Sequence, residues 1–143
     1  MSQINFLEYI NPILFPDFSD VSDEDDNELI ILRVSNAPKR INLADLGYRT
    51  KTEYEGYENH FHVFDNVADN EMNAAAKITE LISENLLNKL HKNYPSRRFV
   101  LYIDINFENS IIIRFHQLWP NEERFYDVEA MREEGFNIRE IVW

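Results

Sequence analysis

The most constraining feature of this sequence is a pair of alternating apolar runs in the stretch RRFVLYIDINFENSIIIRFHQLW. Every second residue from Phe99 to Phe107 is apolar, and the second run places apolar residues on one face from Ile111 to Trp119. Side chains alternate between the two faces of a β-strand, so each run predicts a strand with one apolar face. The short interval between the runs predicts an antiparallel hairpin.

The apolar faces also limit how the two strands pair. A shift of one residue would turn every side chain to the other face, so the apolar residues must stay on a shared face. Pairing Phe107 with Ile111 leaves a three-residue loop in which Asn109 or Ser110 adopts the left-handed backbone conformation. This register predicts two polar cross-strand pairs, Asp104 with Arg114 and Tyr102 with His116. We interpret them as a structural polar layer, with a recognition surface as the alternative.

A long helix is predicted before the hairpin. From Met72 to Leu90 the apolar residues recur at steps of three and four, the spacing that places them on one face of an α-helix. Asp69 is available as the N-terminal cap, and Tyr94-Pro95 ends the pattern. The helix is on the order of 36 Å long, enough to lie across a sheet.

Shorter patterns predict the remaining elements. Branched apolar residues over 29–34 favour a strand buried on both faces and central in the sheet, and alternation over 48–55 favours a half-exposed strand that ends at Gly56. The other elements are helices over 2–10, 43–46 and 128–134, with caps at Asn42 and Asp127 and stops at Gly47 and Gly135, and strands over 60–64, antiparallel to 48–55, and 136–143. The predicted class is α+β: a single domain of residues 1–143 with a largely antiparallel sheet, one long helix packed on a face and short additional helices.

Negative charge is concentrated in segment 17–28, DFSDVSDEDDNE, which has seven carboxylates and no Lys or Arg. Its residues form turns readily and repel one another, so the segment predicts an acidic loop. Segments 52–71 and 122–140 are also acidic, and the formal net charge of the chain is −12. Phosphate recognition depends on Lys and Arg, so this charge argues against nucleic acid and membrane partners and favours a basic protein partner.

Several classes of chemistry are excluded or disfavoured by the composition. The chain has no Cys, which excludes disulfides, thiolate metal sites and a thiol nucleophile and fits a reducing cytoplasm. The N-terminus lacks the features of a signal peptide, and no run approaches the roughly 20 apolar residues of a spanning helix, so a cytoplasmic protein is expected. Three glycines disfavour a phosphate-binding loop, and no catalytic motif is present, so we expect neither an enzyme nor a cofactor.

Two histidines offer the main alternative chemistry. His60 and His62 share one face of the predicted strand over 60–64, where both could bind zinc with a nearby carboxylate such as Glu58. The spacing specifies no third ligand. We therefore interpret the two histidines as exposed strand residues and predict no metal site.

The C-terminal stretch RFHQLWPNEERFYDVEAMREEGFNIREI resembles the end of some small bacterial immunity proteins of polymorphic-toxin and contact-dependent growth inhibition systems. In those proteins an aromatic strand is followed by a proline, an acidic turn, an aromatic residue and an acidic helix that leads to a last strand. The matching positions are Arg114, Phe115, Pro120, Glu122, Phe125, Asp127, Glu129, Glu133 and Glu134. The resemblance covers about a fifth of the chain and implies an immunity function.

Charge and resemblance together predict an immunity protein, or antitoxin, that binds a cognate toxin domain. The toxin is expected to be a basic nuclease, inhibited by stoichiometric occlusion of its active site or substrate groove. Acidic side chains would pair with Lys and Arg of the toxin, and tyrosines would serve as anchors. The predicted contact residues are Asp23, Glu24, Asp25, Asp26, Glu28, Glu53, Tyr54, Glu55, Tyr57 and Glu58.

Three alternatives remain open from the sequence. An acidic mimic of nucleic acid that inhibits a defence enzyme would space its carboxylates like phosphates along one elongated face, whereas an immunity protein would present a compact patch around aromatic anchors. A small metal-binding enzyme would use His60 and His62. An intracellular adaptor with some other partner would need neither feature.

Overall fold

The computed structural model describes residues 14–32 and 37–143, so the helix predicted over 2–10 lies outside the described residues. Within these ranges, six strands form two antiparallel sheets beside one long helix and two short ones, which confirms the α+β class. In chain order the elements are β1 (Phe18–Ser22), β2 (Glu28–Leu32), α1 (Lys51–Glu58), β3 (His60–Phe64), a 3₁₀ turn (Asp69–Glu71), α2 (Met72–Asn93), β4 (Phe99–Ile105), β5 (Ile111–Gln117), α3 (Val128–Glu133) and β6 (Asn137–Val142).

The larger sheet has the strand order β3-β5-β4-β6, and the predicted long helix α2 packs on one of its faces. There, Leu86 and Leu90 of the helix share a core with Leu101 and Phe115 of the central strands. On the opposite face, α3 covers β4 and β6. The residues buried between them are Val100 and Tyr102 of β4, Ile138 of β6 and Val128 of α3 itself.

The start of α2 differs from the prediction, because Asp69 does not cap it. A 3₁₀ turn precedes the helix, and the residue at the capping position makes no side-chain hydrogen bond. The Asp69 carboxylate instead accepts from Nδ2 of Asn109 at 2.7 Å, in the loop between β4 and β5. The end of the helix is as predicted, with Tyr94 as its C-cap.

The β4–β5 hairpin is confirmed, but its predicted register is wrong by two residues. Ile105 pairs with Ile111 and Tyr102 pairs with Arg114. A shift of two residues keeps every side chain on its face, so the apolar face is as predicted although the individual pairs are not. Neither predicted pair therefore stands directly opposite, although Tyr102 and His116 still meet diagonally, with the Tyr102 hydroxyl 3.2 Å from His116 Nε2.

Asn106 sets the actual register of this hairpin. Its Oδ1 accepts from the backbone N–H groups of Glu108 and Ser110, each at 3.0 Å. The loop therefore comprises residues 107–109, one position earlier than predicted, and leaves the side chain of Phe107 75% exposed. Asn109 has a φ of 57°, the left-handed conformation that the sequence predicts for this loop.

The strand predicted over 48–55 is wrong, because most of this segment belongs to α1. Thr50 caps the helix by accepting from Glu53 N, and the Glu53 carboxylate accepts from Arg49 N at 2.7 Å. This reciprocal arrangement is close to a capping box. Apart from Tyr54, the buried residues of α1 and its C-cap are polar or small and recur at steps of three and four: Thr52, Glu55, Gly56 and Asn59.

The remaining short elements follow the predictions in part. Strand β3 forms as predicted, but it pairs with β5 because 48–55 is not a strand. Residues 43–46 form a turn without a helix, in which Asn42 Oδ1 accepts from Asp45 N. At the C-terminal end, Asp127 caps α3 as predicted, and Gly135 ends it at a φ of 91°.

Candidate partner-binding surface

The acidic segment 17–28 forms an ordered hairpin, so the prediction of an acidic loop is wrong for the half of the segment that lies in strands. Strand β1 pairs with β2 from Phe18 opposite Leu32 to Ser22 opposite Glu28. The side chains of Phe18 and Val21 are buried. Burial of these apolar groups against the rest of the chain is what outweighs the mutual repulsion of the acids.

Residues 23–27, which we call the acidic turn, are held by one carboxylate. Asp23 is 2% exposed, and its Oδ1 accepts from the backbone N–H groups of Asn27 at 2.8 Å and Asp25 at 3.0 Å. Its Oδ2 accepts from Asn27 Nδ2 at 2.9 Å. The turn therefore has a fixed shape, and it presents the exposed carboxylates of Glu24, Asp25 and Asp26 to solvent.

The hairpin is joined to the body of the protein through two side chains at the end of α1. Asn59 Oδ1 accepts from Leu32 N at 2.8 Å, and its Nδ2 donates to Ile30 O at 2.7 Å. One turn earlier, Glu55 Oε1 accepts from Ile30 N at 3.1 Å. These side chains occupy the edge of β2 where a further strand would pair. Residues 29–32 are buried as predicted, but β2 is not central in a sheet, contrary to the prediction.

Glu55 also binds the end of β5. Its Oε2 accepts from Gln117 N and its Oε1 from Gln117 Nε2, both at 2.6 Å. The same Nε2 donates to Glu28 O at 2.9 Å, which fixes the beginning of β2. Glu55 is fully buried, and this burial raises its pKa to about 7. One buried acid thus connects the hairpin, α1 and the main sheet.

The acidic turn is connected to α1 by a chain of contacts through residues 43–48. Glu24 Oε2 accepts from Leu43 N at 3.1 Å. Tyr48, at the end of this segment, has its ring 5.9 Å from that of Tyr57 and its hydroxyl 3.4 Å from Glu58 Oε1. We name the connected solvent-facing set the acidic surface: Glu24, Asp25, Asp26, Glu28, Glu53, Tyr57 and Glu58.

Three of these acids form ion pairs with arginines of the same chain. The ion pairs are Asp26 with Arg40 at 2.7 Å, Glu53 with Arg49 at 2.6 Å and Glu28 with Arg97 at 3.2 Å. Pairs at this level of exposure contribute little to stability, so Asp26 and Glu28 can exchange partners at little cost, whereas Glu53 is also held by the backbone N–H of Arg49. Glu24, Asp25 and Glu58 make no ion pair with any residue in the described ranges.

The structure corrects three of the predicted contact residues. Asp23, Tyr54 and Glu55 are buried and make internal contacts, so they are not available to a partner on the surface of the folded chain. Tyr54 packs edge-on against Tyr48 with 5.3 Å between ring centroids. Tyr57, the other predicted anchor, has 54% of its surface exposed.

Two residues beside the acidic surface are not among the contact residues predicted from the sequence. Asp45 and Leu46 lie in the turn that follows Leu43, and Leu46 is 53% exposed. Asn42 and Gly47 limit the element between them to a few residues. An apolar side chain in so short an element is a usable signal for an exposed apolar group. Leu46 thus adds a second exposed apolar side chain, besides Tyr57, next to the acids.

The polar residues on the face of the main sheet that α3 covers mostly contact other residues of the protein. His116 is buried, with Nε2 3.2 Å from the Tyr102 hydroxyl and Nδ1 donating to Gln117 O at 2.7 Å. Burial lowers the pKa of His116 to about 4, so the ring is neutral at physiological pH. This arrangement favours the interpretation that these residues form a structural polar layer, and it argues against a recognition surface.

No family model, curated protein or solved structure matches the chain. In the described ranges, no helix is both long and apolar enough to cross a membrane. The same residues contain no group of three or more His, Asp or Glu side chains placed to hold a metal ion.

Proposed function

We propose that this chain is an immunity protein that neutralises a cognate toxin domain, a basic nuclease, by covering its active site or substrate groove. The observation that carries the proposal is the ordered acidic turn. Asp23 fixes the turn from inside, and the three exposed acids beside it are consecutive. A fixed set of carboxylates loses little conformational entropy when it meets a complementary cationic surface.

Two exposed apolar side chains beside the acids support a protein partner. Tyr57 and Leu46 are each about half exposed. Leu46 lies in the segment whose Leu43 N–H donates to Glu24, and the ring of Tyr57 lies 5.9 Å from that of Tyr48 in the same segment. Protein interfaces gain most of their affinity from a few aromatic or apolar anchors, while surrounding charges set the association rate and the specificity. The acidic surface offers both kinds of group.

The arginines near the acids favour this proposal over a mimic of nucleic acid. Arg40, Arg49 and Arg97 each pair with one acid of the acidic surface. A phosphate mimic gains from an uninterrupted row of negative charge, because its target binds DNA or RNA through an extended cationic groove. Interspersed charge of both signs is the pattern of a specific protein interface.

Co-expression with the candidate toxin tests the proposed function. The chain is expected to restore growth of cells that produce the toxin domain encoded beside its gene, and to co-purify with that domain in equal amounts. An unrelated toxin domain of similar charge serves as the control and should be neither neutralised nor bound. Failure to restore growth and failure to co-purify would together contradict the proposal.

A further inference from the structure

Two exposed histidines on the edge strand β3 lie close together and are not part of the acidic surface. His60 and His62 stand opposite Arg114 and Ile112 of β5, so both side chains lie on the same face of the sheet. Their ring centroids are 6.4 Å apart. Helix α3 covers the β4 and β6 side of this face, and both histidines are exposed.

Each histidine is held through Nδ1 by an acceptor of the protein. His60 Nδ1 lies 2.6 Å from Tyr57 O, and His62 Nδ1 lies 2.7 Å from Asp65 Oδ1. A backbone carbonyl and a carboxylate can only accept, so each Nδ1 carries the proton. In the neutral imidazole the lone pair then lies on Nε2. In proteins, a hydrogen bond from one ring nitrogen to such an acceptor orients the histidine so that the other nitrogen can bind a metal ion.

The spacing of the rings is within reach of one metal ion. A metal–nitrogen bond of about 2.1 Å places the ion about 3.2 Å from a ring centroid, so two rings sharing an ion lie at most about 6.4 Å apart. The observed separation is at this limit, and a tetrahedral angle requires about 5 Å. Small side-chain rotations close the difference at little cost, because both side chains are exposed.

We propose that His60 and His62 form a two-histidine chelate, through their Nε2 atoms, for a borderline divalent transition-metal ion such as Ni²⁺, Cu²⁺ or Zn²⁺. The remaining coordination positions would be filled by water or by a ligand from another molecule. Arg114 stands opposite His60 on this face, and its guanidinium is engaged by other groups of the protein. It donates to Gly56 O and Tyr126 Oη and stacks 4.5 Å from the Phe125 ring.

Titration of the untagged protein with NiCl₂ at pH 7.5 tests this site independently of any toxin. We expect one saturable site per chain, weakened at least 10-fold by either His60→Asn or His62→Asn, because each leaves a single ligand. His91→Asn is the matched control, since His91 is also exposed but lies on α2 beside Trp143, and it should bind as the unmodified protein does. Affinity should fall as the pH is lowered, because protons compete for Nε2.

Asp65 is expected to act as a positioning residue. The Asp65→Asn variant should bind Ni²⁺ about 10-fold more weakly, and nitrogen NMR of the side chain should show that His62 no longer favours the Nδ1–H tautomer. Zn²⁺ should shift the Nε2 signals of both histidines. The proposal is overturned if the unmodified protein shows no saturable binding, or if binding survives in both the His60→Asn and the His62→Asn variants.

Discussion

The free energy of unfolding of the Glu55→Gln variant is expected to fall by about 2 kcal/mol between pH 7.5 and pH 5, while that of the unmodified protein changes much less. The reason is that two buried groups have opposite pH dependences over this range. Burial raises the pKa of Glu55 from 4.5 to about 7 and lowers the pKa of His116 from 6.5 to about 4. Removing Glu55 leaves the contribution of His116 unopposed.

The two contributions follow from proton binding in each state. Glu55 binds its proton more tightly in the folded protein, so its contribution is complete below about pH 4.5 and is lost as the pH rises through about 7. His116 binds its proton more tightly in the unfolded chain, so its contribution is complete above about pH 6.5 and is lost as the pH falls towards about 4. Each amounts to about 2 kcal/mol between pH 5 and 7.5.

Urea denaturation at several pH values measures this effect. The complementary variant His116→Gln is expected to gain about 2 kcal/mol on going from pH 7.5 to pH 5, because only Glu55 then responds. Both variants lose hydrogen bonds, so the change with pH is the readout and the absolute stability is not. The nearest charged groups to His116 are Arg124 and Glu122, which remain in every variant. Parallel pH profiles for the three proteins would contradict the assigned pKa shifts.

Replacing Gly56 with Ala is expected to destabilise the protein by about 2 kcal/mol, although alanine favours helices by about 1 kcal/mol over glycine. Gly56 lies on the buried face of α1, and a Cβ added there would overlap the ring of Phe125. That ring is packed against Tyr57, Tyr126 and Arg114, so it has little room to move away.

A double-mutant cycle separates the two effects of the Gly56→Ala change. In a Phe125→Ala background the overlap is absent, so Gly56→Ala is expected to stabilise the protein by up to about 1 kcal/mol. The change in sign between backgrounds, measured by thermal or urea denaturation, is the diagnostic result. Stabilisation by Gly56→Ala in both backgrounds would show that α1 does not pack closely against Phe125.

The two longest elements that were predicted correctly from the sequence bury mainly apolar side chains. Helix α2 and the β4–β5 hairpin bury Leu, Ile and Phe side chains at the spacing of their secondary structure, so periodicity reveals them. Helix α1 was missed because its buried face carries Glu55, Gly56 and Asn59, which bind backbone groups of the hairpin or allow close packing. The Thr50 and Glu53 pair was the available signal for its start.

The candidate site was predictable only in part. Exposure of Glu24, Asp25 and Asp26 follows from their charge, and the structure places them on the surface. Burial of Asp23 and Glu55 depends on how the hairpin folds and docks on α1, and Glu55 is 25 residues from Ile30, whose N–H donates to it. Contacts over such a distance leave no local pattern in the sequence, so composition alone assigned these acids to the surface.

The most direct test of the proposed function compares two triple variants with the same change in charge. Glu24→Gln/Asp25→Asn/Asp26→Asn neutralises the acidic turn, and Glu129→Gln/Glu133→Gln/Glu134→Gln neutralises exposed acids of α3 and its C-cap. The quantity to measure is affinity for the co-purified toxin domain at several salt concentrations. The acidic-turn variant is expected to bind at least 10-fold more weakly and with less salt dependence, and the control to bind as the unmodified protein does. Equal affinity of the two variants would contradict recognition through the acidic turn.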